Sequence, residues 1–266
     1  MTKDLKVSIV QTKLFWQEPN KNIRHLNKLL SSLKKKETDV IVLPEMFTTG
    51  FSMMPNVFAE EMNGPAMQWM QDVAKSLNAA VCGSLMIKEK NKFYNRLIWM
   101  NPDGSFETYN KRHLFRMGKE DQQYEQGKTK TVVTYKGWKI NLQICYDLRF
   151  PIWSRNSLSI KKGKPDYKYD AMIYVANWPA VRSFPWQQLL LARAIENQTY
   201  VVGVNRIGKD GNGIDHSGDS VVLNPIGKNL SKTKANKSSV ETIVLSAKEL
   251  TDFRKKFPVL MDADKI

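Results

Sequence analysis

Two stretches of this chain are apolar at consecutive positions, "DVIVLPE" (39–45) and "DAMIYVANWP" (170–179). Side chains alternate sides along a strand, so an uninterrupted apolar run is buried on both faces. A sheet built from such strands must be covered by another layer on each side. Segments of helical period supply candidates for those layers. Residues 20–35 carry Ile23, Leu26, Leu29, Leu30 and Leu33 at helical spacing, and 66–78 and 185–198 read as helices too. Further strands are expected at "KVSIVQT" (6–12), "AAVCGSLMI", "NRLIWMN", "TYVVGVN", "GDSVVLNPIGK" and "VETIVLS", with a hairpin turning at Lys136-Gly137. Strand and helix patterns alternate from end to end without a linker, repeat or low-complexity tract. The expectation is one layered α/β domain over residues 1–266. Periodicity leaves open how the layers stack.

Bulk properties exclude several classes. No apolar run approaches the length of a membrane span. The first residues, "MTKDLKVSIVQTKLFW", interrupt their apolar part with an acid and lysines and read as a first strand rather than a signal peptide. A cytoplasmic protein with no membrane partner is expected. Cys82 and Cys145 form no disulfide framework, and His25, His113 and His216 lie far apart in sequence, so neither a metal site nor a cofactor is expected. The formal charge is +15, from 41 Lys+Arg against 26 Asp+Glu. Those lysines are scattered rather than interleaved with aromatics on one face, which favours a solvated surface over a nucleic-acid partner.

Chemistry concentrates at three strand ends. In "LQICYDLRFP" (142–151) a thiol, Cys145, ends an apolar run just where the chain turns polar. Open α/β sheets present reactive groups beyond the carboxyl ends of their strands. Glu45 ends "DVIVLPE", and Lys111 follows the strand after the "NPDG" turn. A carboxylate can take a thiol's proton, and a lysine beside a thiol favours the thiolate and steadies an oxyanion. Each residue has an ordinary alternative: strand-end Glu and Lys are usually surface groups, and a lone cysteine is usually a small core residue. Cys82, in "AVCGSL", fits the core reading.

Three segments, "VLPEMFTTGF", "YNKRHLF" and "ICYDLRFP", resemble in this order the signature segments of the nitrilase superfamily of carbon–nitrogen hydrolases. "ARAIENQTYVVGVNR" and "GDSVVLNPIGK" extend the resemblance, which spans about residues 5–246. It implies a four-layer α-β-β-α sandwich that pairs into homodimers or larger assemblies. It also implies a Glu45-Lys111-Cys145 triad acting through a thioester, without metal or organic cofactor. "EDQQYEQG" is similar to the family's E-x-x-x-aromatic-x-x-G segment and implies a second glutamate, Glu120, that holds the lysine; its plain alternative is a loop salt bridge. "CYDLRFPIWSRN" and "ANWPAVRSFPWQQLLLARAIENQ" look most like the omega-amidase branch, which implies a small amide substrate carrying a carboxylate. Arg149 is then the expected carboxylate clamp, since a guanidinium binds carboxylate in bidentate fashion; a loop brace is its alternative. Trp178 would wall the pocket, the backbone N–H of Tyr146 would meet the oxyanion, and Arg182 and Arg206 are weaker clamps. A deaminated-glutathione amidase and a non-catalytic basic binding protein are the rival readings.

Overall fold

A computed structural model describes residues 2–264. One sheet holds β1 (Leu5–Gln11), β2 (Val40–Val42), β3 (Ala80–Glu89), β4 (Lys92–Met100), β5 (Phe106–Asn110) and β15 (Ser239–Leu245), in the order β15-β1-β2-β3-β4-β5. The second holds β6 (Val132–Tyr135), β7 (Trp138–Ile144), β10 (Ala171–Ala176), β11 (Tyr200–Asn205) and β14 (Val221–Leu223), in the order β14-β11-β10-β7-β6. Two small hairpins, β8–β9 (Leu158–Lys161 and Lys164–Tyr167) and β12–β13 (Ile207–Lys209 and Asp215–Ser217), stand apart from both.

The alternation of side chains turns these sheets into layers. On β2, Val40 and Val42 join a core with Ile140, Leu142 and Ile144 of β7, between the sheets. Ile41, between them on the chain, faces the other way and packs with Leu26 and Leu30 of α1 (Pro19–Leu30) and Met70 and Ala74 of α3 (Pro65–Leu77). The second sheet's far face is covered by Trp186, Leu190 and Ala194 of α5 (Ser183–Asn197), and by Leu250 of α6 (Ala247–Lys256). Helices, sheet, sheet, helices is the four-layer sandwich that the resemblance implies. Short helices α2 (Pro55–Phe58) and α4 (Pro151–Ser154) complete the set.

Some boundaries differ from the sequence reading. The first helix stops at Leu30 although the apolar spacing runs on to Leu33. Ser31 and Ser32 donate their hydroxyls back to the carbonyls of Lys28 and Leu29, at 2.8 and 2.9 Å, and such local bonds compete with a further helical turn. The strand expected over 39–45 keeps its ladder only over Val40–Val42. Pro44 has no N–H to donate, so the chain leaves the sheet and releases Glu45 beyond its edge. Helix α6 was not anticipated, although "SAKE" carries its start signal: Ser246 accepts from the Glu249 N–H at 3.3 Å.

Strand direction then decides where the chemistry meets. Strands β1, β2 and β3 are parallel, while β4 runs against both β3 and β5. Strand β5 therefore points the same way as β2, and Lys111, just past β5, emerges at the same edge as Glu45. In the facing sheet β7, β10 and β11 are parallel, so Cys145 and Asn177 emerge together at one edge.

Candidate active site

Those edges face each other, and four of the residues singled out in the sequence converge there. Glu45, Lys111 and Glu120 are fully buried. The Lys111 ammonium donates to Glu45 Oε1 at 2.9 Å and to Glu120 Oε1 and Oε2 at 3.0 and 2.8 Å. Burial alone would lower the pKa of Lys111, but the charges of Glu120 and then Glu45 outweigh it and hold the ammonium charged. Burial raises the pKa of Glu120, with Lys111 pulling the other way. Glu120 Oε2 also accepts from the Phe115 N–H at 2.7 Å, so this glutamate is tied into the cluster and is no surface salt bridge. The motif's glycine has a physical reason too. Gly127 donates its N–H to the Lys111 carbonyl at 2.8 Å, and a Cβ there would meet the Asn110 carbonyl oxygen at 2.0 Å.

The thiol enters from the second sheet. Cys145 follows the last residue of β7 with φ +42°, a left-handed conformation that non-glycine residues rarely adopt, and opens a 3-10 turn over Cys145–Arg149. The Glu45 carboxylate lies near enough to the thiol to act on its pKa. Burial raises its pKa well above the usual thiol range, Glu45 adds to this, and the opposing pull of Lys111 does not cancel the two. Lys111 does pull toward the thiolate, as expected from the sequence, but burial and Glu45 push harder the other way. The net direction favours the protonated thiol, with the Glu45 carboxylate beside it to take the proton.

Two asparagines in the site were not singled out in the sequence. Asn95 Nδ2 donates to Glu45 Oε1 at 2.7 Å and Glu120 Oε1 at 3.0 Å, bridging the carboxylates from β4. The Asn177 N–H donates to Glu45 Oε2 at 2.8 Å, and its Nδ2 to the Glu45 carbonyl at 2.6 Å. Asn177 had a signal, a polar residue just after a wholly apolar run, and such a residue must find buried partners. Asn95 stands beside Arg96 ahead of its apolar run and had none.

Cys145 and Lys111 line a cavity of about 280 Å³ that Tyr146, Arg149, Trp178 and Arg182 also border. The Arg149 guanidinium lies over the Trp178 ring, 5.0 Å from its centre, and among the described residues it has no carboxylate partner and no hydrogen bond. Arg182 likewise has no ion pair among the described residues; its guanidinium lies 5.4 Å from the centre of the Phe115 ring. Arg206 is different. It is buried away from this cavity and donates to the carbonyls of Ile207, Leu14 and Lys209, so it braces the backbone. Trp178 is both core and wall: its ring packs on Trp186 at 5.4 Å, and its indole N–H donates to the Arg182 carbonyl at 2.7 Å. Tyr146 is the second residue of the 3-10 turn, so its N–H finds no acceptor within that turn.

The β12–β13 hairpin adds an unforeseen wall with His216. His216 Nδ1 faces the carbonyls of Ile214 and Gly208, at 3.0 and 3.3 Å. Carbonyls only accept, so Nδ1 carries the proton. Burial, with the Arg206 charge, lowers the imidazole's pKa to about 4 and keeps it neutral.

A nucleophile, an acceptor for its proton and a fixed cation within one buried cluster is an arrangement suited to attack on a carbonyl carbon. Comparison with known proteins agrees. The carbon–nitrogen hydrolase family model matches residues 6–255, so the likeness extends through α6. Omega-amidase YafV of Escherichia coli K12 is 42% identical over 261 residues, covering 98% of this chain and 97% of the relative. The 2-oxoglutaramate amidase of Bacillus subtilis is 29% identical, with 97% of each chain covered. Among solved structures, a carbon–nitrogen hydrolase superfamily protein of Xanthomonas campestris, with an arsenic adduct in its active site, superposes with a TM-score of 0.93. It is 40% identical and covers 99% of this chain and 98% of its own. The family's pattern thus runs across both sheets, and its three marked strand ends meet in a single cluster: the chain belongs to the carbon–nitrogen hydrolases of the nitrilase superfamily.

Proposed function

We propose that this hydrolase is an omega-amidase, removing the terminal amide of a short 2-oxo acid such as 2-oxoglutaramate or 2-oxosuccinamate. The observation that carries this reading is the unpaired Arg149 guanidinium in the cavity that holds Cys145. A half-buried cation without a partner in a cavity is a ready counter-charge, and a substrate carboxylate would complete it. The names of the relatives at 42% and 29% identity point the same way.

In the proposed reaction, the substrate carboxylate pairs with Arg149, and its amide carbon lies against Cys145 Sγ. Because the protonated thiol is favoured at rest, Glu45 accepts its proton as the sulfur attacks. Negative charge gathers on the former carbonyl oxygen. Lys111 and the Tyr146 N–H stabilise it there, and more strongly than they stabilise the neutral carbonyl, which is what lowers the barrier. The C–N bond breaks, and ammonia leaves with the proton that Glu45 held. Water then enters, Glu45 takes one of its protons, and the hydroxide attacks the thioester. The acid leaves and the thiol is restored. Glu120 and Asn95 hold Lys111 and Glu45 in register throughout. Trp178 presents its face to Arg149 and limits where the guanidinium can move.

Ammonia release from a panel of amides tests the reading. 2-Oxoglutaramate should be used far better than a neutral amide of equal length or a nitrile. A preference for deaminated glutathione would move the protein to that branch of the family. No preference for acidic amides would remove the omega-amidase assignment and leave the hydrolase chemistry standing.

A further inference from the structure

Asp147 is a fully buried carboxylate that the proposed reaction does not use, two residues beyond the nucleophile. It accepts four hydrogen bonds, and their origins matter. Oδ2 accepts from the Ile144 N–H at 3.1 Å and the Tyr109 hydroxyl at 2.7 Å. Oδ1 accepts from His113 twice, from its N–H at 2.9 Å and from Nδ1 at 2.8 Å. Ile144 immediately precedes Cys145. Tyr109 and His113 flank Lys111 by two residues on either side. A single carboxylate therefore grips the chain before and after both Cys145 and Lys111, which come from different sheets. Its partners are themselves held. The Tyr109 oxygen accepts from the Trp153 indole at 2.9 Å and the Arg112 N–H at 3.3 Å. The His113 ring stacks on Phe150, 3.8 Å between centres.

The strain at Cys145 explains why such a grip is needed. A non-glycine residue at φ +42° relaxes unless its surroundings over-determine it. Relaxation there would swing Sγ relative to Lys111 Nζ and Glu45. We infer that Asp147 is a positioning residue for the reaction: it locks the cysteine-bearing turn to the lysine-bearing segment and so sets the distance between nucleophile and oxyanion donor. This rests on the reading of Cys145 and Lys111 as the reacting pair. Asp147 touches no substrate, so its loss acts on turnover rather than on substrate affinity.

The test is Asp147→Asn, which keeps the size of the side chain but replaces one acceptor oxygen by a donor facing donors. Two readouts are taken, kcat and KM on the best amide of the panel, and the rate of Cys145 alkylation by iodoacetamide across pH. Cys82 is fully buried and does not compete for the reagent. The expected result is a fall in kcat of about tenfold or more with KM within about twofold, the scale of a small misplacement of reacting groups. Alkylation should slow as well and change its pH profile. Tyr109→Phe removes one hydrogen bond and keeps the carboxylate, and should give a smaller fall in kcat at an unchanged melting temperature. A folded Asp147→Asn protein with wild-type kcat and alkylation would overturn the inference. So would a raised KM with unchanged kcat. If Asp147→Asn does not fold, wild-type kcat and alkylation in Tyr109→Phe overturn it instead. If the wild type releases ammonia from no amide, the function reading fails, while the alkylation rates still decide the role of Asp147.

Discussion

Cys82 and Cys145 carry the same side chain, both lie out of solvent, and burial raises the pKa of both. Cys82 sits within β3, near its start, opposite Trp99 of β4 and Val42 of β2, inside the apolar core between the sheets. No charged group contributes to its pKa, which burial alone raises. Cys145 stands one residue past a strand end, in a left-handed backbone conformation, with Glu45, Lys111 and Glu120 acting on it. Burial therefore does not separate a structural thiol from a reactive one. What separates them is the way the chain leaves the sheet and the charges that meet it there.

Exchanging the two thiols' fates is the sharpest way to break this comparison. Cys145→Ala should abolish ammonia release in a protein that remains folded. Cys82→Ala should retain most of the activity and lose about 1 kcal/mol of stability, the usual scale for trimming a small core side chain. Steady-state rates with melting curves check both, and comparable losses of activity would sink the assignment of Cys145.

Lys111→Met comes next in size. It removes an oxyanion donor and should reduce kcat by about 10²-fold or more. It also leaves Glu45 and Glu120 bridged only by Asn95, so one of them takes up a proton and stability falls too. An unchanged rate constant would show that Lys111 only stabilises the fold.

Arg149→Met tests the other end of the cavity. A charge-assisted pair contributes roughly 1.5–3 kcal/mol, so kcat/KM for 2-oxoglutaramate should fall by roughly 10- to 100-fold. A neutral amide of similar length should lose much less. Equal losses on both substrates would make Arg149 a loop brace, and Arg182 would be the next residue to change. Arg206 is no longer an alternative, because it does not line the cavity and its Nε and one terminal nitrogen already hold backbone carbonyls.

The smallest effect concerns the far wall. His216 has a pKa of about 4 when folded against 6.5 for a free imidazole. Between those values the unfolded chain binds a proton that the folded chain refuses, so this contribution to stability is present above pH 6.5 and is lost as pH falls toward 4. His216→Gln should remove this part of the acid sensitivity. The gap between the two proteins' melting temperatures should then change across that window and stay level above it.

The sequence was most informative where one residue had to satisfy one local rule. Apolar runs marked β2, β7 and β10, and Cys145 stood out because a thiol at a strand terminus has no packing reason to be there. Gly127 was readable through its motif, and the structure supplies the reason in a backbone approach too close for any Cβ. Reading failed where two distant segments share one requirement. Asn95 and Asn177 look like incidental polar residues until the opposing sheets bring each to Glu45. The β12–β13 hairpin, with its short charged strands, carries almost no periodic signal, yet it brings His216 to the cavity.

Local chemistry along the chain therefore determined the layered α/β class, the strand ends where reactive groups emerge, and a motif order specific to one hydrolase superfamily. Tertiary structure alone decided the protonation of the thiol, the freedom of Arg149, the bracing role of Arg206 and the grip of Asp147. The physical reason is the range of the forces. Backbone propensity and side-chain alternation act over a few neighbouring residues and are written in sequence spacing. Desolvation and charge pairing depend on what fills the few ångströms around a group, and at Cys145 most of that comes from strands more than thirty residues away.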